Sequence, residues 1–497
     1  MKRELRWYDF ITVNIYFLGL TTISQTNGLV IPLLVQQFVG ENTKGSYLGM
    51  LRLWTLMAAL LMQAVMGMLS DRSTLRWGRR RPFIFIGTLA DLVFIAALGF
   101  SAGLSGFTGF WFLFIVALLL QVSSNVAQAA QQGLIPDLVP ENQRGRFSSV
   151  KAILELPLPL ILVSFTVAKL VSRGMLWAGL LLAAGILTLS MLITMFVPET
   201  PRKEPPGPFN WQPILRLALM AGTFTAVILG SGAAVNLLGK LFQSITSVPL
   251  LVVLMGGTGF LAMLIAVAVG VWVSVRVSVG SESAQRNPGF SWWVINRLAF
   301  LVGVVNLSTF AVFFIQARLG YERETAAGPA AFLMTVVGVF ILFSALPSGW
   351  LTDRFGRKPL IAISGILAAA GTLIALLSPN LNIIYVGGTL IGVATGLFYT
   401  SNWALGTDLV PRREAGRYLG ISNLAGAGAG AVGAYIGGPI ADYFTVNLPQ
   451  FQGLGYIVLF SIYGALFLFS VFALSQIRQV RYTPNPTHLH EPQPAQD

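Results

Sequence analysis

The chain has 497 residues, 55% of them hydrophobic and only 10% charged, and it carries a net charge of +13. An ordinary soluble domain is about 25% charged, so this composition, with a mean hydropathy of +0.73, excludes a soluble globular protein and a disordered one. Long unbroken apolar runs exclude an alternating transmembrane β-barrel, and the lack of cysteine removes disulfide frameworks and thiolate metal sites.

A bilayer core of about 30 Å is crossed by about 20 apolar helical residues. Such stretches lie, in chain order, near 10–32 (α1), 46–69 (α2), 83–103 (α3), 109–134 (α4), 149–171 (α5) and 175–197 (α6). Two more follow near 214–238 (α7) and 248–275 (α8). The last six lie near 292–316 (α9), 328–350 (α10), 359–377 (α11), 383–406 (α12), 417–441 (α13) and 454–476 (α14). The prediction is an all-α polytopic membrane protein with 14 transmembrane helices. The first span follows MKRELRWYD, is too long for the core of a signal peptide, and ends without a small-residue cleavage site; it reads as a retained helix. With both ends cytoplasmic, 25 of the 32 Lys and Arg fall at the cytoplasmic ends of the spans and 7 on the other side. Arg297, near the start of α9, counts among the 25. The basic excess is therefore a topology signal, and no nucleic-acid partner is expected. The spans α7 and α8 are rich in Gly and Ser, and parity requires that both cross or neither. The two histidines, His488 and His490, lie in a Pro-rich tail that reads as a solvated terminus.

The chain repeats itself. Residues 67–82, GMLSDRSTLRWGRRRP, and 349–359, GWLTDRFGRKP, each link the second and third helix of a six-helix set. Residues 136–147, PDLVPENQRGRF, and 407–418, TDLVPRREAGRY, each follow the fourth helix. Equivalent loops on one face make the halves parallel repeats, an arrangement suited to alternating access by rocking. The predicted organisation is a six-helix half over 1–197, a cytoplasmic linker with two extra helices over 198–290, a second half over 291–476 and a disordered cytoplasmic tail over 477–497. In each loop an Asp at a helix end faces Arg residues, and Gly permits a tight turn. The expected cytoplasmic latch contains Gly67, Asp71, Arg72, Gly78, Arg79, Arg80, Asp137, Arg146 and Glu199 in the first half, with Asp71 paired to Arg79 or to a neighbouring helix end. Its counterpart contains Gly349, Asp353, Arg354, Gly356, Arg357, Asp408 and Arg417. Such a latch would hold one access state and break in the other; the plainer alternative is that these charges only mark topology.

The doubled Gly-x-x-x-Asp-Arg-x-Gly-Arg loop resembles the signature loop of the major facilitator superfamily, over roughly 9–197 and 291–476. VPETPR at 197–202 resembles a sugar-porter motif, and SDRSTLRWGRRRPFI at 70–84 is similar to plant sucrose transporters and their bacterial relatives. The resemblance implies a twelve-helix core whose first, fourth, seventh and tenth helices (α1, α4, α9 and α12) line a central cavity, with α7 and α8 an inserted hairpin. On those helices stand Gln25; Gln121, Asn125, Gln128 and Gln132 at spacings that share one helical face; Asn306; and Tyr399 and Asn402 beside Trp403. Amides match the vicinal hydroxyls of a sugar, and rings stack on its apolar face; the alternative is interhelical hydrogen bonding. The sucrose-type pattern places an acid and a base on α4 where this chain has Gln121 and Gln132. Proton coupling would then fall to Glu155, with Lys151 one turn before it, or to Asp91, about nine residues into α3. Gly426/Gly430 and Gly433/Gly437 on α13 permit close helix contact, and Pro157 and Pro159 make α5 bendable.

These features imply a monomeric secondary transporter of the plasma membrane, in contact with lipid, that moves a neutral sugar or glycoside, with a proton as a possible co-substrate. It is not expected to be an enzyme or to need a cofactor or metal. Efflux of a drug-like compound, or a non-transporting scaffold on the same fold, are the alternatives.

Overall fold

The computed structural model describes Arg6 and residues 8–140, 143–199, 211–280, 285, 288–409 and 415–477. Fourteen helices among them are long and apolar enough to cross a membrane. In hydrocarbon every backbone polar group must be satisfied within the segment, which is why these apolar runs are helical. The helices begin and end on local signals. Pro82 opens α3 (Arg81–Ser101), and Pro140 follows the end of α4 (Gly106–Leu138). Gly356, at φ +87°, turns the chain from α10 (Ala327–Phe355) into α11 (Arg357–Leu377).

Both halves use the same pairings. In the first, α1 (Asp9–Thr12 and Ile15–Val39) packs on α6 (Leu176–Thr194), α2 (Lys44–Asp71) on α4, and α3 on α4 and α6. In the second, α9 (Pro288–Thr309 and Ala311–Leu319) packs on α14 (Leu454–Ser475), α10 on α12 (Leu381–Leu409), and α11 on α12 and α14. The halves meet reciprocally: α2 lies on α13 (Ala415–Asn447), the fifth helix of the second half, and α5 on α10, its second. Gly49 abuts the Ala434 carbonyl and Gly438 abuts that of Gly45, so the α2 and α13 backbones touch. The α5 helix is broken at Leu156, between Arg144–Glu155 and Pro157–Leu162, and contains a π-turn at Val163–Val167. Prolines and π-turns free carbonyls from the helical ladder. Here the Leu160 carbonyl accepts from Thr335 of α10 at 2.9 Å.

Polar bonds between the halves cluster at one end, the far face, opposite the signature loops. There Asp442 accepts the Gly45 and Ser46 amides at 2.9 and 2.7 Å, capping the start of α2. Buried Lys44 donates to Glu41 at 2.5 Å and to Gln316 at 3.2 Å, and Gln316 donates to Gln36 at 3.1 Å. Burial alone would raise the Glu41 carboxyl, but Lys44, Gln36 and Arg323 hold it below the usual carboxylate range. At the signature-loop face, no hydrogen bond or ion pair among the described residues joins the halves. The α5 segment Arg144–Glu155 packs there chiefly on α1.

The inserted helices α7 (Gln212–Phe242) and α8 (Val248–Val279) form a hairpin outside the two six-helix sets. It rests on α13, α9, α14 and α2. Phe224, 1% exposed, fills the gaps left at Gly270 and Gly428.

Candidate functional site

A cavity of about 200 Å³ lies against the inner wall of the first half. Thr21, Ser24 and Asn27 of α1, Arg52 and Thr55 of α2, Gln121, Ser124, Asn125 and Gln128 of α4, and Glu155 of α5 line it. A smaller space of about 50 Å³ continues from it, bounded by Gln25 and Arg52 on one side and by Ser308, Ala311 and Met334 of the second half on the other. Of the residues singled out in the sequence, Gln121, Asn125, Gln128 and Glu155 line the larger space and Gln25 the smaller one. Gln132 does not line the cavity: it is exposed and accepts from Gln63 of α2 at 3.2 Å. Its buried neighbour Gln131 donates at 2.6 Å to the Val13 carbonyl freed by the break in α1.

Two amides expected in the cavity are structural. Asn306 is fully buried and donates to the Val302 and Ala429 carbonyls at 2.8 and 2.9 Å, tying α9 to α13 where Gly433 leaves room. Asn402, also fully buried, donates to Asn296 at 2.8 Å and accepts from Arg297 at 3.1 Å, and its carbonyl accepts from Trp293 at 2.9 Å. The family resemblance picked the helices, and nothing in the spacing set the rotation of these two residues about the helix axis. Tyr399, about one turn before Asn402, and Trp403, next to it, keep 39% and 43% of their surface exposed. Arg297 lies 5.6 Å from the Trp403 ring centre and is 9% exposed. Counted above as a cytoplasmic-end charge, it sits nine residues past Pro288, about 14 Å along the helix.

The two acidic candidates differ. Glu155 is 37% exposed in the cavity and 3.5 Å from Lys151, whose ammonium also lies 4.5 Å from the Phe17 ring centre. Asp91 is fully buried between α3 and α4 and accepts from Ser123 and, at 2.9 Å, from Ser124; its second oxygen has no partner. It reaches the cavity only through Ser124.

At the signature-loop face, Arg80 is the hub. Its guanidinium, 5% exposed, pairs with Asp71 and Asp137, the latter at 2.9 Å, and donates to Ser70 at 2.6 Å. Arg79 takes the other pairing with Asp137, which holds its guanidinium above the usual range. Asp71 therefore bonds Arg80, not Arg79. Glu199 accepts the Arg80 and Arg81 amides at 2.7 and 3.1 Å, a carboxylate on the start of α3. The turn at Gly78, φ +112°, leaves no room for a side chain beside Glu199. These partners belong to the first half, so these bonds staple that half together. In the second half Arg357 pairs with Asp408 and donates to the Ala404 carbonyl at 2.9 Å. Asp353 is exposed, and Arg354 lies 5.2 Å from the Trp350 ring centre. A Cβ at Gly67 or Gly349 would meet nothing, so neither serves a close approach. Arg146 is exposed, and the Arg417 side chain lies outside the described residues.

Comparison with known proteins follows the same lines. The Major Facilitator Superfamily model matches residues 16–320 and 298–495. The chain is 26% identical over 195 residues to the uncharacterized MFS-type transporter YhcA of Bacillus subtilis, 39% of this chain and 36% of that one. It is 32% identical over 118 residues to the efflux pump dotC of Dothistroma septosporum, 22% of this chain and 20% of that one. Over 88 residues it is 32% identical to the minor myo-inositol transporter IolF of B. subtilis, 18% of this chain and 20% of that one. The matches thus span about a third or less of these relatives' lengths. The crystal structure of the nucleoside transporter NupG superposes with a TM-score of 0.58 at 13% identity, covering 95% of this chain and 100% of that one. With a family match across both halves and two repeated signature loops, the chain belongs to the major facilitator superfamily.

Proposed function

We propose that this protein is a secondary transporter of the plasma membrane that moves a small hydroxyl-rich solute, a sugar or glycoside, by alternating access. The carrying observation is the polar wall in which Gln121, Asn125 and Gln128 of α4 face the same cavity as Thr21, Ser24 and Asn27 of α1. Amides and hydroxyls supply the paired donors and acceptors that vicinal hydroxyls use. Exposed Tyr399 and Trp403 add rings for the apolar face of a sugar ring. The similarity to a transporter named for myo-inositol agrees with a polyol.

The basic signature-loop face is the cytoplasmic one, so the described arrangement is inward-facing, with the far-face network closed. Rocking about the α2–α13 and α5–α10 contacts alternates access. Glu155 is the proton carrier we favour, because it lines the cavity beside Lys151; Asp91 is the second choice. The test is a proteoliposome uptake screen of sugars and glycosides with and without a pH gradient. Uptake that is accelerated by the gradient and weakened by Gln128→Ala supports the reading. Glu155→Gln should remove the pH effect and leave exchange between substrate pools.

Efflux of a lipophilic compound has one observation in its favour. A space of about 50 Å³ in the second half is lined almost wholly by apolar groups, among them Leu307, Phe314, Leu333 and Phe460. Extrusion of a hydrophobic dye, with no response to sugars, would select it.

A further inference from the structure

We propose that the transported solute carries an anionic group, a carboxylate on a hydroxylated carbon frame, and that Arg52 is its recognition site. The inference deepens the transport reading above and rests on it.

Arg52 stands eight residues into α2, about 12 Å from its far-face end, well inside the span. It lines both the larger cavity and the smaller space that reaches the second half. No ion pair among the described residues involves it, and its Nε is buried without a hydrogen-bond partner. In the same cavity the Asn27 Oδ1 is likewise buried without a partner. The cavity's carboxylate, Glu155, is held by Lys151 at 3.5 Å.

A guanidinium inside a membrane span is costly unless it is paired. Lys44 is bonded to Glu41, Arg297 to Asn402 and Asp442 to two amides. Among the described residues no side chain bonds the Arg52 guanidinium, and it faces open space. A planar fork of donors fits a carboxylate bidentately. Next to it, the amides of α4 and the Asn27 acceptor offer partners to hydroxyls. Because the smaller space is shared with Ser308 and Met334 of the second half, an anion on Arg52 reaches the surface that must close over it during rocking. The ligand chemistry is that of a sugar acid.

The test uses the full-length purified protein and four probes: gluconate and glucuronate, with glucose and methyl glucoside as uncharged counterparts. Ligand-dependent thermal stabilisation is titrated for the wild type, Arg52→Gln and Arg52→Lys. The expected result is stabilisation by an acid, weakened about tenfold or more in Arg52→Gln and partly restored in Arg52→Lys. Should Arg52→Gln not fold, the preference of the wild type for acid over neutral probe and the loss in Arg52→Lys carry the test. Stabilisation by glucose or methyl glucoside alone overturns the anion site and leaves the hydroxyl-rich reading standing. Acid binding that is equal in the wild type and both variants overturns the role of Arg52. No response to any of the four overturns both readings.

Discussion

Replacing Arg80 by Gln is the sharpest probe of the signature loop. The guanidinium is 5% exposed and serves Ser70, Asp71 and Asp137. Asp71 is 58% exposed, so its half of the pairing is worth only about 0–1 kcal/mol. Asp137, 23% exposed, keeps Arg79 when Arg80 is lost. The Asp137 and Ser70 bonds are better protected, and a hydrogen bond to a charged group contributes about 1.5–3 kcal/mol. Weighing these, Arg80→Gln should cost about 2–3 kcal/mol. In the second half Arg357 is 34% exposed and Asp408 54%, so Arg357→Gln should cost only about 0–1 kcal/mol. Thermal unfolding of the purified variants, followed by tryptophan fluorescence, measures the difference. Asp137→Asn and Asp408→Asn should repeat the ranking from the acid side. Equal losses in the two halves would refute the argument, because sequence equivalence would then matter more than burial.

Asn306→Ala and Asn402→Ala should each cost about 1–3 kcal/mol in thermal stability, since each strands buried partners; Gln128→Ala, which faces a wet cavity, should fold normally and lose substrate affinity. Phe224→Ala should cost about 3–5 kcal/mol and loosen the hairpin, read as faster proteolysis between α7 and α8, because its ring fills two glycine gaps at once. The far-face closure should weaken in acid. The Glu41 carboxyl lies below its unfolded value, so its contribution is full above the ordinary carboxylate pKa of about 4.3 and is lost as pH falls through the lower folded value. Single cysteines placed at the far face of this cysteine-free chain should become more reactive under those conditions, compared with cysteines on exposed loops.

The helices and the repeat were legible because they rest on run length and on doubled motifs, both one-dimensional signals. The α4 stripe was legible in part: Gln121, Asn125 and Gln128 share a face and a cavity, while Gln132, a turn further on, bonds Gln63 instead. Asn306 and Asn402 belong to no run of amides on their helices, so nothing in the sequence set their rotation; they turned toward α13 and α9, where Gly433 and Asn296 made room and partners. Arg297 was misplaced because its distance from α9's start depends on Pro288, four residues earlier than the apolar run suggested. The choice between Arg79 and Arg80 hung on a turn at Gly78 whose handedness no pattern reveals. The pairing of Gly45 and Gly49 with α13 went unseen, since only the glycines of α13 themselves form a conspicuous run.

The hairpin's docking site has a consequence for traffic from the side. By lying on α2 and α13 together, α7 and α8 cover one of the two seams between the halves and turn Leu219, Leu237, Leu261 and Trp272 outward. The α5–α10 seam has no such cover among the described residues. The two flanks are therefore unequal doors to the lipid leaflets. A molecule dissolved in the bilayer that slips in sideways would meet only the α5–α10 contact itself, where Leu160 fills the gap at Gly338 and Thr335 bonds the Leu160 carbonyl.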